Sequence, residues 1–127
     1  MVHITKFLEI PFEEAINKVT EALKKEGFGI ITEIDVKKTL KEKIGADFRK
    51  YRILGACNPN LAFRMLQQDD KVGLLMPCNV IVQEHDDGRT EVSTFNPIKS
   101  MPLATNATIE EVADDIECRL TAVIKNL

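Results

Sequence analysis

The chain has 127 residues, a formal net charge of −3, 44% hydrophobic and 29% charged residues, which excludes disordered, collagen-like and repeat architectures and places it among ordinary globular domains. At this length folding withdraws roughly two thirds of the chain's accessible surface from water, so a core needs neither a structural metal nor disulfide staples, and one domain over residues 1–127 is expected. An odd number of cysteines without a short zinc-type spacing reads as reduced thiols; with neither a leader-like N-terminus nor an apolar run of about 18 residues, a cytoplasmic protein with no membrane association is expected.

From Val2 to Leu8 the residues alternate as in a half-buried strand. After Pro11 the period changes: Phe12, Ala15, Ile16, Val19, Ala22 and Leu23 mark one face of a helix that Gly27 closes in a left-handed C-cap. Residues 28–35 resume strand character, with Phe28, Ile30, Thr32 and Ile34 facing one way. Asp35 then caps a short basic helix carrying Val36, Leu40 and Ile44, which ends at Gly45. A third strand runs from about Arg49 to Cys57, after which Asn58 caps and Pro59 opens a short helix with Leu61, Ala62, Met65 and Leu66 on its apolar side. Residues 73–85 are expected to form a fourth strand, bent or bulged at Pro77, which lacks a ladder donor. Asp87 and Gly88 predict a two-residue hairpin turn into an antiparallel fifth strand, Thr90–Phe95. Residues 96–107 read as a loop long enough to cover a site. Thr108 and Glu111 then form a capping box for a final helix whose stripe runs from Ile109 to Leu127, with Cys118 on the outer face.

Chemistry-bearing residues concentrate in two similar phrases, "GACNP" around Cys57 and "MPCNV" around Cys78. Cys57 falls where a strand passes into a helix, where the helix dipole would favour a thiolate, but a free cysteine is more often a buried, inert hydrophobe and the structural reading is preferred; Cys78 lies in an apolar run that favours burial still more. Asn79, an amide inside that run, needs a partner at a bulge or a polar cavity. If the sulfurs meet, a disulfide, a thiol pair or a soft-metal site with Met76 or Met101 becomes possible, although two sulfurs without histidine are incomplete for zinc and no metal site is assigned. His3 and His85 have no catalytic neighbour in sequence, and neither "GFG" nor "GAC" has the spacing of a nucleotide-binding loop. Glu33 and Asp35 share a strand face about 7 Å apart and are read as solvated or ion-paired charges. Residues 37–52 carry seven bases (Lys37, Lys38, Lys41, Lys43, Arg49, Lys50, Arg52) against Glu42 and Asp47, a local +5 that leaves −8 for the remainder. That cluster reads as a solvated face, with anion binding the lesser alternative; the acidic total, one tyrosine and no tryptophan predict no nucleic-acid partner.

The blocks "EGFGIITEIDVKKTLKEKIG" (26–45), "YRILGACNPNLAFRML" (51–66) and "VGLLMPCNVIV" (72–82) resemble the signature blocks of the family called domain of unknown function 302, with Met76 where leucine is common. The resemblance implies an α+β fold of strand, helix, four strands and helix, similar to one half of the TATA-binding-protein architecture and often paired as a dimer. The residue pattern independently gives an antiparallel sheet of about five strands, two long helices on one face, and two short inserted helices. The resemblance brings no activity and no catalytic residue. Its motifs single out Cys57, Asn58, Pro59, Pro77, Cys78 and Asn79 as candidate ligand-binding residues.

Ile31, Leu54, Ile81 and Phe95 fall outside the first apolar set, so the face away from the helices is expected to be partly apolar and to serve homodimerisation. Two functions follow. One is a non-catalytic small-ligand-binding or interaction module whose pocket lies at the "GACNP" turn, closed by the 96–107 loop. The other is thiol-based redox or transfer chemistry, or soft-metal handling, through Cys57 and Cys78. The cofactor is unknown.

Overall fold

A computed structural model describes residues 3–100 and 106–127. In chain order they form β1 (Ile4–Leu8), α1 (Phe12–Lys25), β2 (Gly29–Asp35), α2 (Val36–Ile44), β3 (Tyr51–Cys57), α3 (Pro59–Gln68), a 3₁₀ helix (Asp70–Leu75), β4 (Cys78–Glu84), β5 (Thr90–Thr94), α4 (Pro97–Ser100) and α5 (Ala107–Lys125). The five strands make one antiparallel sheet in the order β1-β5-β4-β3-β2, and the long helices α1 and α5 pack on one of its faces. The α+β class, the strand order along the chain and the two short helices after β2 and β3 agree with the sequence pattern.

Cross-strand register decides which residues meet those helices, because side chains opposite one another share a face. Leu54, Val80 and Thr94 are opposite one another, as are Arg52, Val82 and Val92. These rows face α1 and α5, whose Val19, Leu23, Val112, Leu120 and Val123 are fully buried. Leu54 is therefore core, 0% exposed, and not part of the open face expected from the sequence. Ile53, Ile81, Ser93 and Thr5 form the intervening row on the open face.

The register of β2 departs from simple alternation. A bulge at Ile31 separates the pairs Ile30↔Ala56 and Thr32↔Gly55, so Ile30 follows Phe28 toward the core while Thr32 and Ile34 pass to the open face. One inserted residue reverses every later side chain, which is why the expected single apolar face breaks at this point. Glu33 and Asp35 consequently lie on the Arg52 side of the sheet, at 3.3 and 3.8 Å from that guanidinium, which also meets Glu13 and sits over the Phe12 ring. Lys41 pairs with Asp47 at 2.9 Å, so part of the basic segment is internally neutralised.

Four further features differ from the sequence reading. The expected strand 73–85 begins only at Cys78, after a 3₁₀ helix whose first turn Asp69 caps through Lys71 N–H and after a cis Met76–Pro77 peptide. Pro77 offers no ladder donor, and Asp69 and Gly73 favour a turn over an extended chain. The β4–β5 hairpin has a three-residue loop, Asp86 to Gly88: His85 N–H donates to the Arg89 carbonyl at 2.9 Å and Gly88 takes φ +86°. A left-handed glycine as the third loop residue is the usual solution for that length. Helix α5 is capped by Asn106, whose Oδ1 accepts from Ile109 N–H at 2.9 Å, so Thr108 and Glu111 lie within the first turns instead of forming the cap. Within the expected loop 96–107, α4 occupies residues 97–100, and residues 101–105, with Met101, lie outside the described residues. Among the described residues no helix is long and apolar enough to cross a membrane.

Candidate functional site

Strand β3 ends at Cys57, one residue beyond its last pair with β4 (Ala56↔Cys78), and the chain turns there into α3. The turn is fixed locally: Asn58 is nearly buried, its Oδ1 accepts from Leu61 N–H at 3.2 Å, and Pro59 supplies a first helical residue with no N–H to satisfy. Gly27, with φ +82°, packs against the Asn58 amide, and Arg119 Nη1 donates to the Glu26 carbonyl at 2.8 Å. An ideal Cβ on Gly27 would lie 2.9 Å from Asn58 Nδ2, so only glycine permits this approach.

This junction opens onto a pocket of about 120 Å³ between the ends of β3 and β4, α3 and α5. Cys57, Asn58, Pro77 and Cys78 all line it, together with Met65 and Met76. Hydrocarbon from Phe28, Leu61, Ile98 and Ile116 completes most of the wall. Two sequence-derived candidates lie elsewhere. Pro59 is exposed at the first turn of α3, and Asn79 is exposed on the open face, where its main-chain carbonyl accepts from Thr94 Oγ1 at 2.8 Å. Asn79 is directly opposite Gly55, so its amide needs no internal partner.

All three cysteines are free thiols, with Cys57 half-buried, Cys78 buried and Cys118 exposed. Burial first, and the nearby Cys57 second, push the Cys78 thiol up to about 11, so it is protonated at neutral pH. The two sulfurs thus share one cavity without forming a disulfide. Met65 and Ile98 were not singled out by sequence; the apolar spacing of α3 marks Met65 as core, and no local signal distinguishes a core methionine from one lining a cavity.

The open face carries a second group of polar side chains. Glu91 accepts from His85 Nε2 at 3.0 Å, Gln83 Nε2 at 2.9 Å and Ser93 Oγ at 3.1 Å; Arg49 donates to Gln83 at 2.9 Å, and a further chain joins Ser93 to Thr5 and His3. Burial alone would raise the Glu91 pKa, but the hydrogen bonds from His85, Ser93 and Gln83 outweigh it and hold the carboxyl below its usual range. With both oxygens already engaged, this carboxylate is a structural tie across β4 and β5 and leaves little acceptor capacity for a ligand.

The model for "Domain of unknown function DUF302" matches residues 4–127. The chain belongs to the DUF302 family. A crystal structure of an uncharacterized conserved DUF302 protein from Bacillus stearothermophilus is similar to it at 34% identity and a TM-score of 0.87, covering 99% of this chain and 98% of that one. No curated protein matches the chain. The DUF302 resemblance thus covers the sheet, both long helices and the pocket, and carries no assigned chemistry.

Proposed function

We propose that this DUF302 chain is a non-catalytic module that binds a small ligand in the pocket between Cys57 and Cys78 and acts as a homodimer in the cytoplasm. One observation carries the binding reading: a pocket of about 120 Å³ adjoins the "GACNP" turn and is walled almost entirely by hydrocarbon and sulfur. An apolar cavity of about 150 Å³ is enough to take up benzene or xenon, so this one suits a small, weakly polar or soft ligand. Titration with benzene, followed by amide NMR shifts, tests it. Shifts concentrated at Leu61, Met65 and Ile116, and abolished by filling the cavity with Ala62→Phe, support the reading; shifts spread evenly over the surface overturn it.

Dimerisation through the open face is supported by the half-buried Ile53 and Ile81 in the sheet row left without helices and the half-buried Phe95 near them, flanked by exposed Phe7 and Ile34. Ile81→Lys is expected to give a monomer in light scattering with unchanged circular dichroism, and a persistent dimer counts against this face. The three free cysteines suit a reducing compartment.

A second reading, thiol-based redox or transfer chemistry, draws on the convergence of Cys57 and Cys78 on one cavity. Since Cys78 stays protonated at neutral pH, the nucleophile would be Cys57. Labelling of Cys57 faster than a free thiol at pH 7 supports that chemistry; sluggish labelling removes it.

A further inference from the structure

We propose that the pocket's ligand is a soft monovalent metal ion, Cu(I), held between the sulfurs of Cys57 and Cys78, with the thioethers of Met65 and Met76 as additional soft donors. This deepens the binding reading above and rests on it. The chain has three cysteines and four methionines, and of the five sulfur side chains among the described residues four line one small cavity. They arrive from separate places: Cys57 from the end of β3, Met65 from α3, Met76 from the segment after the 3₁₀ helix, and Cys78 from the start of β4. The rest of the wall is apolar side chains and Asn58, so among the described residues these four supply its soft donors.

The donor set also selects the ion. Among the described residues no imidazole or carboxylate lines the pocket, and no three of His, Cys, Asp or Glu are placed to hold a metal ion together. Calcium and magnesium need oxygen donors, and structural zinc needs four ligands drawn from thiolate, imidazole and carboxylate. Thiolate and thioether donors favour Cu(I). Binding breaks two S–H bonds and forms two Cu–S bonds; both protons leave to solvent, copper stays in the +1 state, and no oxidant or reductant is consumed. The resulting bis-thiolate complex carries one negative charge. Helix α3, whose N-cap Asn58 directly follows Cys57, presents the positive end of its dipole beside that charge.

The test uses the full chain with Cys118→Ser, which removes the exposed thiol, titrated anaerobically with Cu(I) against the chromophoric chelator bathocuproine disulfonate. The expected result is one Cu(I) retained per chain, with a thiolate-to-copper absorption band in the ultraviolet and X-ray absorption showing only sulfur neighbours. Adding Cys57→Ser weakens retention by at least about a hundredfold and Met76→Leu by about tenfold, both with native circular dichroism. No retention against the chelator, or retention undiminished by Cys57→Ser, overturns the proposal. Benzene titration of the same sample separates the two claims: benzene uptake without copper leaves the binding module standing and removes the metal, whereas failure of both removes the pocket as a site.

Discussion

Replacing Asn58 by alanine tests whether the cap at α3 is what holds the candidate site in place. The side chain is 9% exposed and its Oδ1 accepts from Leu61 N–H. Loss of an N-cap costs about 1 kcal/mol, and leaving that N–H beyond the reach of water adds about 1 kcal/mol more, so Asn58→Ala is expected to cost about 2 kcal/mol. Asn106→Ala supplies the control: it removes the equivalent bond to Ile109 N–H, and one from Asn106 Nδ2 to Gln68 Oε1, at an exposed cap where water substitutes, for about 1 kcal/mol. At this chain length 1 kcal/mol corresponds to about 4 °C, giving melting-temperature drops of about 8 °C and about 4 °C, readable by calorimetry. Asn58→Asp keeps the acceptor and places a negative charge at a helix N-terminus, so it should recover most of the loss. Equal drops for the two alanine variants, or an Asn58→Asp variant as unstable as Asn58→Ala, would refute the argument that burial makes this cap special.

Glu91 gives a pH test. Its folded-state pKa lies below the ordinary 4.5, so its contribution to stability is complete above that value and is lost as pH falls toward the folded pKa. Urea unfolding from pH 6 to 3 should therefore show an acid-side loss that Glu91→Gln reduces, and identical pH slopes would count against the tie. Gly55→Ala places a Cβ against Thr32 and 2.8 Å from Pro77 Cγ, and should destabilise by about 2 kcal/mol in chemical denaturation, with partial recovery in the Thr32→Ala background. Ellman's reagent on the native protein should find one rapidly reacting thiol, Cys118; if the fast phase survives Cys118→Ser, the burial pattern of the cysteines is wrong.

Most of the fold was legible because its elements bury one face each and end on recognisable caps. The Phe12 to Leu23 spacing, Asp35 before α2, Asn58-Pro59 before α3 and the left-handed Gly27 and Gly45 all do in space what their chemistry demands in sequence. Legibility failed where a long-range partner set the outcome. The Ile31 bulge follows from pairing with β3, and no feature of residues 28–35 alone announces it. The run from Gly73 to Val82 looks like a strand by hydropathy, yet its first part must turn to close off α3 before the ladder can begin at Cys78. Leu54 read as a residue of the open face because its phase was judged without the β3–β4 register, which sets it opposite Val80.

The candidate site divides on the same principle. Cys57, Asn58, Pro77 and Cys78 converge because the β3 end and the β4 start are neighbours in an antiparallel ladder, so two similar phrases far apart in sequence become two walls of one cavity. Asn79 cannot join them. Cys78 faces the helices opposite Ala56, and a period of two sends the next side chain through the sheet to the open face. The repeated "CN" therefore carries two meanings: after Cys57 the asparagine caps a helix at the cavity, and after Cys78 it belongs to the opposite surface. What unites the site is sulfur: Met76 arrives with the "MPCNV" phrase itself, whereas Met65 is placed there by packing that no local motif encodes. Whether that gathering has a chemical purpose reduces to a single comparison, the affinity for Cu(I) before and after Cys57→Ser.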